Sequence, residues 1–141
     1  MFWASPAPGR VFGRTRAVAE AAGKKQPICR PRFRILAEGE IALGPGKVDL
    51  LEAIGECGSI SRAAKQVTLS YRRAWEMVDT MNRCFKSPLV ESSTGGRGGG
   101  GARLTPLGTR VIRLYRGMEA ASQAATQKEW KAIRQSLRNP D

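Results

Sequence analysis

Ser70, Tyr71, Arg72 and Arg73 stand together at the start of an amphipathic run, and their side chains suit hydrogen bonding to a polyanion better than catalysis. An arginine can donate two hydrogen bonds to O6 and N7 of a guanine, while serine and tyrosine hydroxyls can reach phosphate or base edges. The run lies within GSISRAAKQVTLSYRRAWEMVDTMN, Gly58 to Asn82, where Ser59, Ser61, Arg62 and Lys65 add polar and cationic groups a few residues earlier. Further on, Gly95 to Thr105 reads GGRGGGGARLT. There the backbone N–H groups of Gly98 and Gly99, with Arg97 and Arg103, can hold a sugar-phosphate chain. These residues form the candidate DNA-contacting set.

Other chemistries lack their residues. The chain has no histidine, so neither a Ser-His nor a Cys-His nucleophile pair can form. No catalytic residue is assigned and no enzyme is expected. Asp49, Glu52 and Glu56 recur at helical spacing and are expected on an exposed face. Cys29, Cys57 and Cys84 lack CxxC spacing and imidazole partners, which argues against a zinc site and for reduced thiols. Gly96, Gly98 and Gly101 satisfy GxGxxG formally, but no helix opens after them, so a dinucleotide reading fails its context. No apolar run approaches the roughly 18 residues of a membrane span, and no signal-peptide core is seen. A cytoplasmic, nucleoid-associated protein without membrane partners is expected.

Charge points the same way. The chain of 141 residues has 24 Lys and Arg against 12 Asp and Glu, a net charge of +12. From Arg62 to Arg116 eleven basic residues face only Glu76, Asp79 and Glu91, whereas Val48 to Gly58 holds three acids and no base. A polarised positive surface of this kind attracts phosphate backbones first.

Several elements must position these groups. Residues 1–30, rich in proline, glycine and bases, are expected to form a disordered arm, either a tail that touches DNA or a plain extension. Arg32 to Leu43 suggests a small hairpin turning at Glu38-Gly39-Glu40, and Pro45 to Cys57 a helix ending at Gly58. Ser59 or Ser61 can cap a helix of about Ser61 to Val67, and Ser70 a second one reaching about Phe85. Ala63 and Ala64 allow close approach of the two, with Val67, Leu69, Ala74 and Met77 between them. Ala74, Met77, Val78 and Met81 make the apolar face of the second helix, leaving Tyr71, Arg72, Arg73 and Glu76 largely on the other side. Trp75 is expected in the core. Thr68 stands where such turns favour glycine, so a wider turn is expected. A strand starting near Pro88 and a return at Ala102 to Thr105 would form a wing around the glycines, the alternative being a loose connector. Thr105-Pro106 then opens a helix in which Leu107, Val111, Leu114, Met118 and Ala121 recur as an a/d seam. Trp130, Ile133 and Leu137 continue an apolar stripe after a break in phase. The seam suggests dimerisation, the alternative being packing against its own domain. The expected fold is mainly α with a small β-wing (α+β): a winged helix-turn-helix over 31–105 followed by a long C-terminal dimerisation helix over 106–138.

Ser59-Ile60-Ser61, Ala64-Lys65, Ser70-Tyr71, Ala74-Trp75 and Met81-Asn82, with Pro88 to Glu91, Gly95-Gly96, Gly98 to Ala102, Leu104-Thr105 and Gly108, form a pattern that resembles a known family. It is the N-terminal DNA-binding domain of the ModE molybdate-dependent transcriptional regulators, and more distantly the winged helix of LysR-type regulators. The resemblance spans about Ile35 to Thr126. It implies a homodimer that binds double-stranded DNA, gripping a palindromic operator near molybdenum-related genes, and in full-length members a C-terminal pair of β-barrel modules that bind molybdate. The chain stops at Asp141, so no molybdate module, cofactor or small-molecule effector is expected within it. A non-specific nucleoid-type binder, or a DNA-binding subunit served by a separate effector protein, are the rival readings.

Overall fold

Gly44-Pro45-Gly46 separates two sequence patterns, and the backbone changes from strand to helix there in the computed structural model, which describes residues 26–93 and 101–138. Most of the expected basic arm, together with Arg97, Gly98 and Gly99, lies outside the described residues. Before the glycines, β1 (Ile35–Ala37) and β2 (Glu40–Leu43) pair antiparallel, with Leu36 opposite Ile41 and Ala37 opposite Glu40. Both loop residues, Glu38 and Gly39, have positive φ, the geometry of a two-residue hairpin turn. After them comes α1 (Pro45–Cys57), opened by a proline whose missing N–H is an orphan donor at a helix start in any case. Gly58 ends it at φ 68, where a side chain would be strained, and sends its N–H to the Ile54 carbonyl at 2.9 Å.

Ser59, the first of the two candidate serines, caps α2 (Ile60–Gln66) by accepting a hydrogen bond from Arg62 N at 3.3 Å. Ser70 caps α3 (Tyr71–Cys84), accepting from Arg73 N at 3.0 Å. Between them the turn is tight, not widened: Thr68 takes φ 59 and Leu69 N bonds Ala64 O at 2.8 Å. The β-branched residue therefore adopts the conformation that glycine would take more easily. Ala63 and Ala64 are fully buried, as are Ala74 and Met81 of α3, so the two helices meet through small side chains.

Helix α1 packs against α2, α3 and the wing. Val48, Leu50, Leu51, Ala53 and Ile54 are all buried on it, and so is Glu52, which was expected on an exposed face with Asp49 and Glu56. A helix covered on several sides has no broad solvent face left.

The wing pairs β3 (Val90–Ser93) with β4 (Gly101–Leu104), register Val90 to Leu104 and Ser93 to Gly101. Val90 and Ala102 are buried while Glu91 and Arg103 are exposed, the alternation of a one-sided hairpin. Thr105 then opens α4 (Pro106–Ala125): its hydroxyl accepts from Gly108 N at 3.0 Å and donates to Pro88 O at 2.7 Å. Gly108 lies so close to the Leu89 carbonyl that a Cβ would collide with it.

The described residues divide into two compact units, one of residues 32–115 and one made of residues 26–31 and 116–138. The first unit therefore runs past the boundary expected at residue 105, because Val111, Ile112 and Tyr115 of α4 are buried within it. Tyr115 donates its hydroxyl to Phe33 O at 2.8 Å and meets the Phe33 ring edge-on, centroids 6.5 Å apart. Of the expected seam, Val111 is buried and Leu107 half-buried, whereas Leu114 and Met118 are 53% and 42% exposed and Ala121 faces solvent. In the second unit, the half-buried Arg116 pairs with the buried Glu119 at 2.9 Å. The single long helix expected over 106–138 is instead two: it breaks at Thr126, whose hydroxyl bonds back to Ser122 O at 2.7 Å, and α5 (Gln127–Ser136) follows with no buried residue.

Replacing Thr68 by glycine should stabilise the chain by about 0.5–1 kcal/mol, the αL penalty being relieved and part of it returned as glycine's unfolded-state entropy. Urea denaturation checks this; a loss of stability would mean that the threonine is not strained.

Candidate nucleic-acid interface

Helix α3 is built so that one face holds it and the other is left free. Ala74, Met77, Val78 and Met81, at spacing i, i+3, i+4, i+7, are buried, and Tyr71, Arg72, Arg73 and Glu76 face outward. The Arg72 side chain is 90% exposed. No acid occupies the first turn of α3, so Arg72 and Arg73 set positive charge at the positive end of the helix dipole. That placement costs about 0.3–1 kcal/mol per exposed charge. A helix start shaped for stability alone would carry Asp or Glu instead. Glu76 offsets part of the cost, 3.3 Å from Arg72 Nε and 3.9 Å from Arg73 Nη1. Exposed pairs of this kind contribute only a few tenths of a kcal/mol.

Around this helix start lie the other residues expected from the sequence. Ser61, Arg62 and Lys65 are exposed on α2, and Arg62 and Lys65 form no ion pair among the described residues. The Ser59 and Ser70 oxygens serve as caps while their hydroxyl protons stay available for donation. Arg103 is engaged by its cross-strand partner Glu91 at 2.9 Å, so a phosphate would compete with that carboxylate. Arg97, Gly98 and Gly99 lie outside the described residues.

Three features escaped sequence reasoning. Lys47, half-buried on α1, has its ammonium pushed below the ordinary lysine range by burial and then by the charge of Arg73. It is a further cation beside the helix start. Trp75, expected in the core, is 51% exposed and borders a groove of about 170 Å³ between α3 and the wing, with Ile60, Val78, Asn82, Val90 and Ala102. Its position one residue after Ala74 puts it outside the buried stripe, a signal the spacing already contained. Asn82 is the third. Its Oδ1 accepts from Leu89 N at 2.8 Å and Val90 N at 3.2 Å, and its Nδ2 donates to Val90 O at 3.0 Å. One carboxamide therefore joins the end of α3 to the base of the wing. The wing is held from two other sides, by Ala102 N donating to Gly58 O at 2.9 Å and by Thr105 N donating to Leu89 O at 2.9 Å.

Arg83, by contrast, is withdrawn from the surface chemistry. Its Nη1 and Nη2 grip both oxygens of Glu40 at 3.0 and 3.3 Å and its Nε bonds Asp79 at 3.1 Å. The hydrogen bonds from Glu40 above all, then Asp79, hold it more firmly charged than a free arginine. It tethers α3 to β2. The Cys57 thiol is pushed up by burial and then by Glu56, which disfavours the reactive thiolate. Among the described residues no group of three or more His, Cys, Asp or Glu could hold a metal ion, and no helix is long and apolar enough to cross a membrane.

A capped helix with a free cationic start, a short helix crossing before it and an anchored hairpin after it define a winged helix-turn-helix. Residues 46–109 match the family described as bacterial regulatory helix-turn-helix protein, lysR family. That segment holds the helix-turn-helix and the wing described above. The chain is 50% identical over 84 residues to the molybdenum transport protein ModE of Azotobacter vinelandii, covering 60% of this chain and 31% of the relative. It is also 48% identical over 71 residues to the DNA-binding transcriptional dual regulator ModE of Escherichia coli, covering 50% of this chain and 27% of that protein. The transcriptional regulator ModE of Haemophilus influenzae is 41% identical over 83 residues, 59% of this chain and 32% of its own. The matched segment thus spans less than a third of each of these relatives.

Asn82→Ala should lower stability by about 2–3 kcal/mol, since two backbone donors and one acceptor lose their partner at a half-buried site. Chemical denaturation measures this, and amide exchange at Leu89 and Val90 should accelerate. An unchanged exchange rate would show that the wing is held without Asn82.

Proposed function

We propose that the chain is a sequence-specific DNA-binding transcriptional regulator of the ModE type that binds as a homodimer and controls molybdate- or metal-related genes in the cytoplasm, at the nucleoid. The observation that carries this reading is the exposed arginine pair at the capped start of α3, a placement that disfavours the isolated helix and suits a phosphate-lined groove. In this reading α3 enters the major groove. Arg72 reads base edges, Tyr71, Arg73 and Ser70 position it, and Ser59, Ser61, Arg62 and Lys65 meet phosphates from α2. Arg103, with Arg97, Gly98 and Gly99, follows the backbone from the wing. No catalytic step and no cofactor is assigned to this chain.

Self-association is proposed through the outward side of α4. Leu114 and Met118 stand exposed on it at i, i+4, with Ala121 three residues further, while Val111 and Leu107 are engaged in the domain. A second exposed apolar pair, Leu36 and Ile41, sits cross-strand on the β1–β2 hairpin.

The test is selection of bound duplexes from a random pool, with and without molybdate. The expected product is an inverted repeat, and enrichment unchanged by molybdate would place any sensing of that anion elsewhere. Tight, salt-sensitive binding with no enrichment would support a non-specific nucleoid-type protein instead. On the selected duplex, Arg72→Ala should cost about 1–3 kcal/mol and relax preference at one position, whereas Lys65→Ala should weaken all sequences alike and reduce the salt slope by about one. Leu114→Glu should shift the chain toward monomer in sedimentation without lowering its melting temperature appreciably; an unchanged dimer would move the interface elsewhere.

A further inference from the structure

We propose that Glu76 is a specificity-determining positioning residue: it holds Arg72 in the posture that reads a base and keeps it off the phosphates. This deepens the DNA-binding reading above and rests on it. Glu76 stands one turn after the two arginines on the outward face of α3, and it is the acid bonded to both of them. Its side chain is 47% exposed, so the pair is not a core feature. Nor is it a stability device. Arginine precedes glutamate by four residues, the order that opposes the helix dipole, and the pair lies in solvent where ions are screened.

A carboxylate on this face also repels the phosphates that line a groove. A protein that only gripped backbone would bind better without it. The other outward acid of α3, Asp79, has a different explanation, since Arg83 ties it to the Glu40 network on β2. Glu76 has no such tether.

The geometry supplies a reason for its presence. The bond to Glu76 uses Nε of Arg72, which leaves both terminal nitrogens of the guanidinium free. Those are a pair of donors that match O6 and N7 of a guanine. An unrestrained arginine loses much rotamer freedom on binding and finds a phosphate as readily as a base. One held at Nε is partly ordered beforehand, and its charge is partly offset against non-cognate backbone. Glu76 thus weakens indiscriminate binding and favours the selected contact.

The experiment compares the full chain with Glu76→Gln on two duplexes, the one enriched by the wild type and a shuffled duplex of the same composition, across a salt series. Glutamine keeps the shape and removes the charge. The shuffled duplex should bind more tightly with a salt slope steeper by up to about one, because Arg72 becomes available to phosphate. The ratio of affinities for enriched over shuffled DNA should fall by about two- to fivefold, less than the loss of a whole bidentate base contact because Arg72 itself remains. In an Arg72→Ala background the same substitution should leave the ratio unchanged, since the two residues act as a unit. An unchanged ratio in the single variant, or an equal tightening of both duplexes, would reduce Glu76 to net charge and overturn the proposal. So would a fall of the same size in the Arg72→Ala background, which would mean that Glu76 touches a base itself. If the wild type enriches no sequence at all, the specific-regulator reading falls with it. Discrimination by the wild type that Glu76→Gln fully retains removes only the role of Glu76.

Discussion

The carboxamide of Asn82 joins the two parts of the molecule that, in the proposed reading, meet a duplex together. A recognition helix and a wing reach neighbouring parts of the DNA surface, so their separation has to be set before binding rather than ordered at the moment of contact. Asn82 sits in the last turn of α3, and its three hydrogen bonds reach Leu89 and Val90 where the wing begins. Gly58 and Thr105 hold the same hairpin from α1 and α4. Gly58 ends one helix and Thr105 opens another, so the same two residues serve both helix boundaries and wing placement. The close approach of Gly108 to the Leu89 carbonyl completes the clamp.

Within that frame the cations are not equivalent, although the composition presents them as one charge. Arg83 is consumed by Glu40 and Asp79 and fixes α3 to β2. Arg103 is paired across the hairpin with Glu91, and the half-buried Arg116 is paired with the buried Glu119. Arg62, Lys65, Arg72 and Arg73 remain on the exposed sides of α2 and α3, and Lys47 lies beside them with its charge disfavoured by burial. Local helix electrostatics oppose the arginines at the start of α3. Only a partner of opposite charge turns that arrangement into a gain, which is why their position says more than the net charge of +12.

Much of this was legible in the chain because it depends on near neighbours. The helix limits around Pro45, Gly58, Ser70 and Pro106 follow from residues with restricted or permissive backbones and from caps three residues away. Other features were not legible. Thr68 was expected to widen its turn, but the packing of Ala63 and Ala64 against α3 holds the tight form at φ 59. Trp75 was expected in the core from its bulk, although its spacing already set it to one side of the buried stripe. On α4 two apolar stripes coexist, one through Val111 and Tyr115 and one through Leu114 and Met118. Periodicity alone cannot say which of them meets its own domain.

The sequence by itself determined the order of the elements up to Pro106, the capped start of α3 and the chemistry of Ser70 to Arg73, because those rest on backbone preferences and on contacts within one helical turn. Tertiary structure alone decided which charges stay free, which face of α4 is spent inside the domain, and how the wing is tied to α3. Those outcomes depend on residues such as Glu40 and Arg83, or Phe33 and Tyr115, that lie far apart in the chain. Their pairing is set by the geometry of packing, and no local pattern records it.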